Sequence, residues 1–403
     1  MPKPLFITNT ARCGSGLIAR MLTAGGQVNI AGEAHLDLFR SLRNGIVKNS
    51  DDPDLSSLQL LQEPFYDYYF SPEKLKIKDC IQKCSGINIK LDKNEWIRML
   101  DPLVERGKME NMDLVPYYKK LCSDTYLGCI QKAIENIPVA RNLNVSDLKW
   151  IGIKDSWIIE LFLPLAKSFP DAKFLIILRD PRASISSNQR VADQKKKAHV
   201  QSFAKSWRKH LAYTVHYQNH SIFKDRLFIV TFEQFACKPE EKAKELCDFL
   251  EVKFDKSMLN TDNYIDYSTG SVWKGNSSYE KTTKGISAHR IDRWRKNLSK
   301  EAIKTIELVC GPDIKLIGLE PSFPPEDLWG DSDVLDYLIR DNEDHGAWRN
   351  VFGRLEMDYG FELFRKAMLA FPGKDFDDDL IKRTFLFKEV FDLLRNPPVT
   401  PII

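Results

Sequence analysis

Seven residues near the start, "TARCGSG" (10–16), hold an arginine, two glycines and a serine between an apolar run and a helix-like pattern. Gly14 and Gly16 let the backbone approach a ligand closely, Ser15 offers a hydroxyl, and the Arg12 guanidinium is a planar fork suited to phosphate or sulfate oxygens. A loop that joins a strand to a helix also aims backbone N–H groups and the positive end of the helix dipole at whatever it holds. The chemistry implied is anion recognition, through Arg12, Cys13, Gly14, Ser15, Gly16 and Leu17. Further on stand residues able to move protons or neutralise charge: Glu33 and His35 in "GEAH", Lys154 closing "WIGIK", and Arg179 and Ser187 in "FLIILRDPRASISSNQR" (174–190).

Such residues need a frame. Four runs, "PLFIT" (4–8), "WIGIK" (150–154), "KFLIILR" (173–179) and "RLFIVTF" (226–232), are apolar without alternation, as strands covered on both faces should be; "QVNIAG" (27–32) is a shorter fifth. Helical patterns at 15–24, 156–168, 182–194, 199–222 and 233–250 lie between them. The expected fold is α/β, a parallel β-sheet flanked by helices, with the reactive residues at the carboxyl ends of strands.

The loop admits three readings. A nucleoside-triphosphate P-loop requires Gly-Lys-Ser/Thr after its glycines, and no such lysine follows. "GSGLIA" fits the dinucleotide pattern, with Glu33 at 19 residues from Gly14, which keeps an NAD(P)-dependent oxidoreductase as an alternative. That fingerprint turns tightly off its strand, however, whereas five residues precede Gly14 here. The third reading uses more of the chain. "TARCGSGLIARML" resembles the 5′-phosphosulfate loop of sulfotransferases that use 3′-phosphoadenosine-5′-phosphosulfate (PAPS). "FLIILRDPRASISSNQR" resembles their 3′-phosphate element, with Arg179 and Ser187 in the binding places. "SSYEKTTKGISAHRIDRWRKNLS" (277–299) resembles the late loop over the nucleotide, with Lys284 and Gly285 against the 3′-phosphate. Cys13 departs from the usual Ser or Thr, and Gly16 replaces a hydroxyl residue.

The resemblance implies a P-loop-like sulfotransferase fold, PAPS as co-substrate, no metal, and in-line transfer of a sulfuryl group to a hydroxyl or amine. Such transfer needs a base and cations on the developing charge. Glu33 follows Arg12 at the 21-residue spacing of the tyrosylprotein sulfotransferases, and His35 is its rival as base. "IKDS" resembles the K-D-P segment of those enzymes, which makes Lys154 a charge-neutralising residue. Arg182 is expected to pair with Asp180, Trp294 to pack in the core, and Phe232 to border the adenosine or the core. Ser277 and Ser278 are further contact candidates. A non-catalytic nucleotide-binding protein is the alternative from another class.

Composition bounds the rest. With 43% hydrophobic and 29% charged residues and a net charge of +3, the 403-residue chain is an ordinary globular protein, with nothing to suggest a nucleic-acid partner. From Pro321 onward 17 acidic residues face 10 basic ones, a net of −7 against +10 for the rest. The division expected is an α/β domain over 1–320, its mostly helical insertion (34–149) framing a small-molecule acceptor, and an acidic helical extension over 321–403. The aromatic run "EPFYDYYF" (63–70) is core or acceptor wall, and "KKK" (195–197) a solvated end. Neither a leader at "MPKP" nor an apolar run of about 20 residues is evident, and the eight scattered cysteines suit free thiols. A cytoplasmic protein with no membrane span is the expectation.

Overall fold

Five apolar runs form the parallel strands β1 (Lys3–Asn9), β2 (Val28–Gly32), β3 (Trp150–Lys154), β4 (Lys173–Leu178) and β5 (Leu227–Thr231), in the order β2-β3-β1-β4-β5. The computed structural model describes residues 1–56, 72–156, 158–192, 200–275, 285–328, 330–343, 355–371 and 373–403. The strands lack alternation because both faces are covered. Leu5, Ile7, Leu175 and Ile177 enter one apolar layer, and Phe6, Phe174, Ile176 and Leu178 the opposite one. Gly152 belongs to a strand because a Cβ there would stand 2.6 Å from Ile30 Cγ1 on β2. The α/β fold read from the sequence, with its phosphate-type loop after a central strand, is the fold observed.

On the smaller layer lie α1 (Ser15–Ala24) and later helices; α2 (Leu36–Lys48), α3 (Pro72–Lys83), α4 (Lys93–Glu110) and α5 (Tyr126–Ala140) form the insertion on the other. Longer helices that follow are α6 (Phe162–Ser168), α7 (Pro181–Ala192), α8 (Val200–Asn219), α9 (Phe232–Cys237), α10 (Pro239–Leu250), α11 (Lys300–Ile314), α12 (Ser332–Glu343), α13 (Leu355–Ala370), α14 (Asp378–Phe385) and α15 (Lys388–Arg395). Two expected helices differ in detail. The 233–250 helix breaks at Lys238, whose φ of −133° and ψ of 62° leave the helical region, because the residue before a proline is driven out of it and Pro239 has no N–H to continue the ladder. The 156–168 helix starts as one tight turn, Ile158–Leu161, before α6. Among the described residues, no helix is long and apolar enough to cross a membrane.

The segment after Pro321 packs into the same core as the sheet. Phe361, Met368, Phe385, Phe387 and Phe391 join the layer that holds Phe6 and Phe174. Two buried ion pairs fasten it: Arg208 on α8 grips Glu362 on α13 with both terminal nitrogens, at 2.6 and 3.0 Å, and Arg365 reaches Asp313 at 2.9 Å. Arg208 and Glu362 are almost wholly shielded from solvent, so removing one partner strands the other's charge. Glu362→Ala is therefore expected to cost about 3–5 kcal/mol in urea unfolding, whereas the double change Arg208→Met with Glu362→Leu should recover most of that loss.

Candidate active site at the carboxyl edge of the sheet

The loop after β1 bends sharply at two left-handed residues, Arg12 (φ 62°) and Gly14 (φ 84°), before α1 begins at Ser15. Gly14 has two reasons to be glycine: its φ, and the ring of Phe232, whose Cδ2 lies 2.4 Å from where a Cβ would stand. No acidic residue occupies the first turn of α1 to compete with an anion for the helix N-terminus. The Cys13 side chain turns down into the apolar layer with Leu5 and Ile7. Burial raises its thiol despite hydrogen bonds from Ser15, so its contribution to the loop is its backbone.

Asp180 and Pro181 explain how Arg179 is presented. Asp180 accepts the Arg182 N–H at 2.8 Å as a helix cap, and Pro181 opens α7 where no N–H is needed. Arg182 folds back on Asp180 at 2.8 Å, reaches Glu307 at 2.7 Å and lies over the buried Trp294 ring at 4.3 Å, so both residues hold the structural places expected of them. Arg179 is thereby left at the end of β4 facing the loop. Its Nη1 donates to the Arg12 carbonyl at 2.9 Å, its guanidinium lies 4.6 Å over Phe232, and its buried Nε has no hydrogen-bond partner among the described residues. Arg12 Nε in turn donates to Ser187 Oγ on α7 at 3.3 Å. Arg12, Ser187 and Arg179, far apart in the chain, thus converge on one place.

Like charges crowd together there. Burial and the Arg179 charge hold the Arg12 guanidinium below its ordinary range. Arg290, from the tight turn Ala288–Arg293, is depressed by burial and by Arg293 and Arg179. Glu233 on α9 accepts the Asp180 N–H at 3.2 Å, and burial with the nearby Asp180 pushes it up to about 7, so it offers these arginines a weakened countercharge. An anion between the cations would relieve the repulsion.

The second half of the site lies one strand away. Glu33 follows β2 with a left-handed φ of 56°, rare for a side-chain-bearing residue, so the segment bends here and does not stay extended to His35. Its N–H donates to the Lys154 carbonyl at 2.6 Å. Its Oε1 accepts from Lys154 Nζ at 2.5 Å and from Ser156 Oγ at 2.7 Å, and its Oε2 accepts from the Ser156 N–H at 3.2 Å. Burial alone would raise Glu33, but the Lys154 charge and these hydrogen bonds outweigh it and leave the carboxyl below its usual range. Lys154 is raised in turn, Glu33 overcoming burial. Asp155, fully buried beside them, is pushed well above the carboxylate range by burial and by Glu33.

His35 lies 1% exposed, edge-on to Tyr118 at 5.9 Å between ring centres, whereas the Glu33 side chain is 23% exposed. Gly285 takes a left-handed φ of 83°, and its N–H donates to Thr261 Oγ1 at 3.2 Å. Lys284, Ser277, Ser278, "EPFYDYYF" and "KKK" lie outside the described residues. The sequence reading missed Ser156, Asn9 and Arg290. Ser156 had a signal, its place directly after the strand-end pair Lys154-Asp155; Arg290 stood in a run of basic residues with nothing to single it out.

With this geometry in hand, comparison with known proteins is decisive. The family model described as "Sulfotransferase family" matches residues 4–256. The chain belongs to the sulfotransferase family. Among curated proteins, this sulfotransferase-family chain is 27% identical over 177 residues to the protein-tyrosine sulfotransferase of Drosophila melanogaster, covering 43% of this chain and 34% of that one. It is 21% identical over 204 residues to protein-tyrosine sulfotransferase A of Caenorhabditis elegans, covering 48% and 51%. The chain thus spans between a third and a half of the length of these relatives. Among solved structures, the sulfotransferase domain from the curacin biosynthetic pathway is 17% identical with a TM-score of 0.39, covering 74% of this chain and 93% of that one.

Two outcomes follow from the geometry. Gly14→Ala is expected to lower the melting temperature by a few degrees in calorimetry, through a φ penalty of about 1–2 kcal/mol and displacement of Phe232. The second concerns His35, which burial and the Arg141 charge depress to about 3. Between about pH 6.5, the ordinary histidine value, and pH 3 the unfolded chain takes up a proton that the folded one refuses, so stability falls as the pH falls. His35→Gln should therefore lose less melting temperature than the parent between pH 7 and pH 4; buried His210, depressed to about 4, keeps part of the acid limb in both.

Proposed function

We propose that this chain moves the sulfuryl group of PAPS to a hydroxyl or amine of a small-molecule acceptor. The observation that carries the reading is the meeting of Arg12, Arg179 and Ser187 at one sheet edge, with the Glu33–Lys154 pair on the neighbouring strand ends. The residues present fit the co-substrate. Gly14 leaves a cradle that a Cβ would fill, and among the described residues the buried Arg179 Nε lacks a partner, openings suited to the co-substrate and to its desulfated product, 3′-phosphoadenosine-5′-phosphate (PAP). When bound, PAPS supplies the activated sulfuryl group and a phosphate leaving group.

The remaining work belongs to the chain. Arg179, Ser187 and Arg290 hold the 3′-phosphate. The loop backbone from Cys13 to Leu17, with Arg12 and the Ser15 hydroxyl, holds the 5′-phosphosulfate at the start of α1. Lys154 neutralises charge that develops on the transferring oxygens. Glu33 takes the acceptor proton; its partial exposure and its depressed pKa, which keeps it a carboxylate at neutral pH, favour it over the enclosed His35. The curated relatives are named for protein tyrosine, so a tyrosine peptide belongs beside small phenols and amines in the acceptor panel.

The test has a binding arm and a turnover arm. PAP should raise the melting temperature strongly, 5′-AMP much less, and NADP+ not at all; stabilisation by NADP+ over PAP would return the site to an oxidoreductase. Glu33→Gln should bind PAP normally and transfer sulfate from PAPS at least about 100-fold more slowly. Tight PAP binding without a sulfated product across the panel would mark a nucleotide-binding protein that does not catalyse transfer.

A further inference from the structure

We propose that Asn9 and Ser156 form a positioning relay that fixes the Glu33 carboxylate relative to the donor loop and leaves its Oε2 as the atom that receives the acceptor proton. The inference rests on the reading of Glu33 as base. Asn9 is the last residue of β1, directly before the loop, and is 2% exposed. Its Nδ2 lies 2.9 Å from the Thr10 carbonyl and 2.8 Å from Ser156 Oγ. A carbonyl can only accept, so the Thr10 contact fixes which end of the amide is the nitrogen. Asn9 therefore donates to Ser156, whose own hydrogen is turned to Glu33 Oε1 at 2.7 Å. The hydrogen-bond direction runs one way, from the end of β1 to the base.

Two further observations support this assignment. Glu33 has an unfavourable left-handed backbone, and the groups that hold it there, Lys154 and Ser156, lie at and just past the end of β3. Asn9 is retained in a buried position although its Oδ1 has no partner among the described residues, a cost that a purely apolar residue would avoid. Oε1 accepts from both Lys154 and the Ser156 hydroxyl, while Oε2 accepts one longer bond from the Ser156 N–H. The lone pair open to a proton is consequently on Oε2. Since Asn9 also leads directly into the residues proposed to hold the phosphosulfate, one short chain of hydrogen bonds sets the distance from base to donor, which an in-line displacement requires.

The charged groups facing Glu33 are Lys154 and Asp155 from β3 and its end, and Arg106 and Glu110 from α4. Changing Ser156 leaves all of them in place. The experiment compares Ser156→Ala, Ser156→Thr, Glu33→Gln and the Glu33→Gln/Ser156→Ala double variant, each first checked for a PAP-induced rise in melting temperature. Sulfuryl transfer from PAPS to 4-nitrophenol is followed against pH, and the Glu33 carboxylate is titrated by infrared difference spectroscopy with Glu33→Gln as the blank. Ser156→Ala loses a hydrogen bond to the charged form, so Glu33 should titrate at higher pH and the acid limb of the rate profile should move up with it. Turnover should fall about tenfold, the scale of one hydrogen bond to a charged group, with little change in KM for PAPS. Ser156→Thr should restore most of the rate, and Ser156→Ala should add nothing in the Glu33→Gln background. If Ser156→Ala does not take up PAP, Asn9→Ser serves in its place with the same readouts. An unchanged Glu33 titration and rate in Ser156→Ala, beside a crippled Glu33→Gln, overturns the relay and spares the base. Near-normal turnover by Glu33→Gln overturns both.

Discussion

The parallel register of β1 with β3 and β4 is the constraint on which the site depends. Ile7 pairs with Lys154 on one side and with Leu175 on the other, and Asn9 stands level with Ile177. Gly32 pairs with Lys154 in turn. Parallel strands all finish on one edge, so residues directly after them fall together however distant they are in sequence. Arg12, Glu33, Lys154 and Arg179 each stand at or just past such an end. A slip of one residue in any strand would turn its side chains to the other apolar layer and move its final residue out of the constellation.

This edge concentrates charge that the fold alone would not choose. Three other buried arginines are paired with carboxylates: Arg182 has Asp180 and Glu307, Arg208 has Glu362, and Arg365 has Asp313. Arg12 and Arg179 are instead set against each other: Arg179 donates to the Arg12 carbonyl, Arg12 donates to the Ser187 hydroxyl, and a half-neutralised Glu233 lies near Arg179. Repulsion of this kind is stabilised when an anion enters, so the site and its ligand are complementary in charge before any shape is considered.

Sheet and loop were legible because they rest on short-range rules. Strands covered on both faces read as unbroken apolar runs, and "TARCGSG" carries the glycine that its φ and the Phe232 ring demand. The helix break at Lys238 was equally local, a consequence of Pro239 that the apolar period concealed. What could not be read was geometry between distant segments. The bent backbone of Glu33 follows from its contact with the end of β3, 121 residues later, and no spacing within "VNIAGEAH" signals it. Asn9 reads as a final strand residue until Ser156 is seen 2.8 Å away. Arg141 likewise ties β2 to the insertion through Asn29, Asn111 and Asp113, with its guanidinium 3.4 Å over Tyr267, yet in sequence it is one more arginine after a helix.

The role of base proposed for Glu33 carries a tension of its own. A carboxylate gripped by a lysine and a serine is a weaker base than a free one, because the same contacts that keep it charged lower its affinity for a proton. Burial without so close a countercharge acts the other way and raises a carboxyl, as burial and the Glu33 charge do for Asp155 next door. Pairing keeps Glu33 deprotonated although it is largely enclosed, and in the proposed reaction the lysine that weakens it neutralises the negative charge that grows on the transferring oxygens. In that reaction, once the proton has moved to Glu33, Lys154 loses its charged partner and its own charge becomes available to the departing group. A single ion pair can in this way hold the resting base ready and then strengthen the electrophilic side of the reaction at the moment the base is spent.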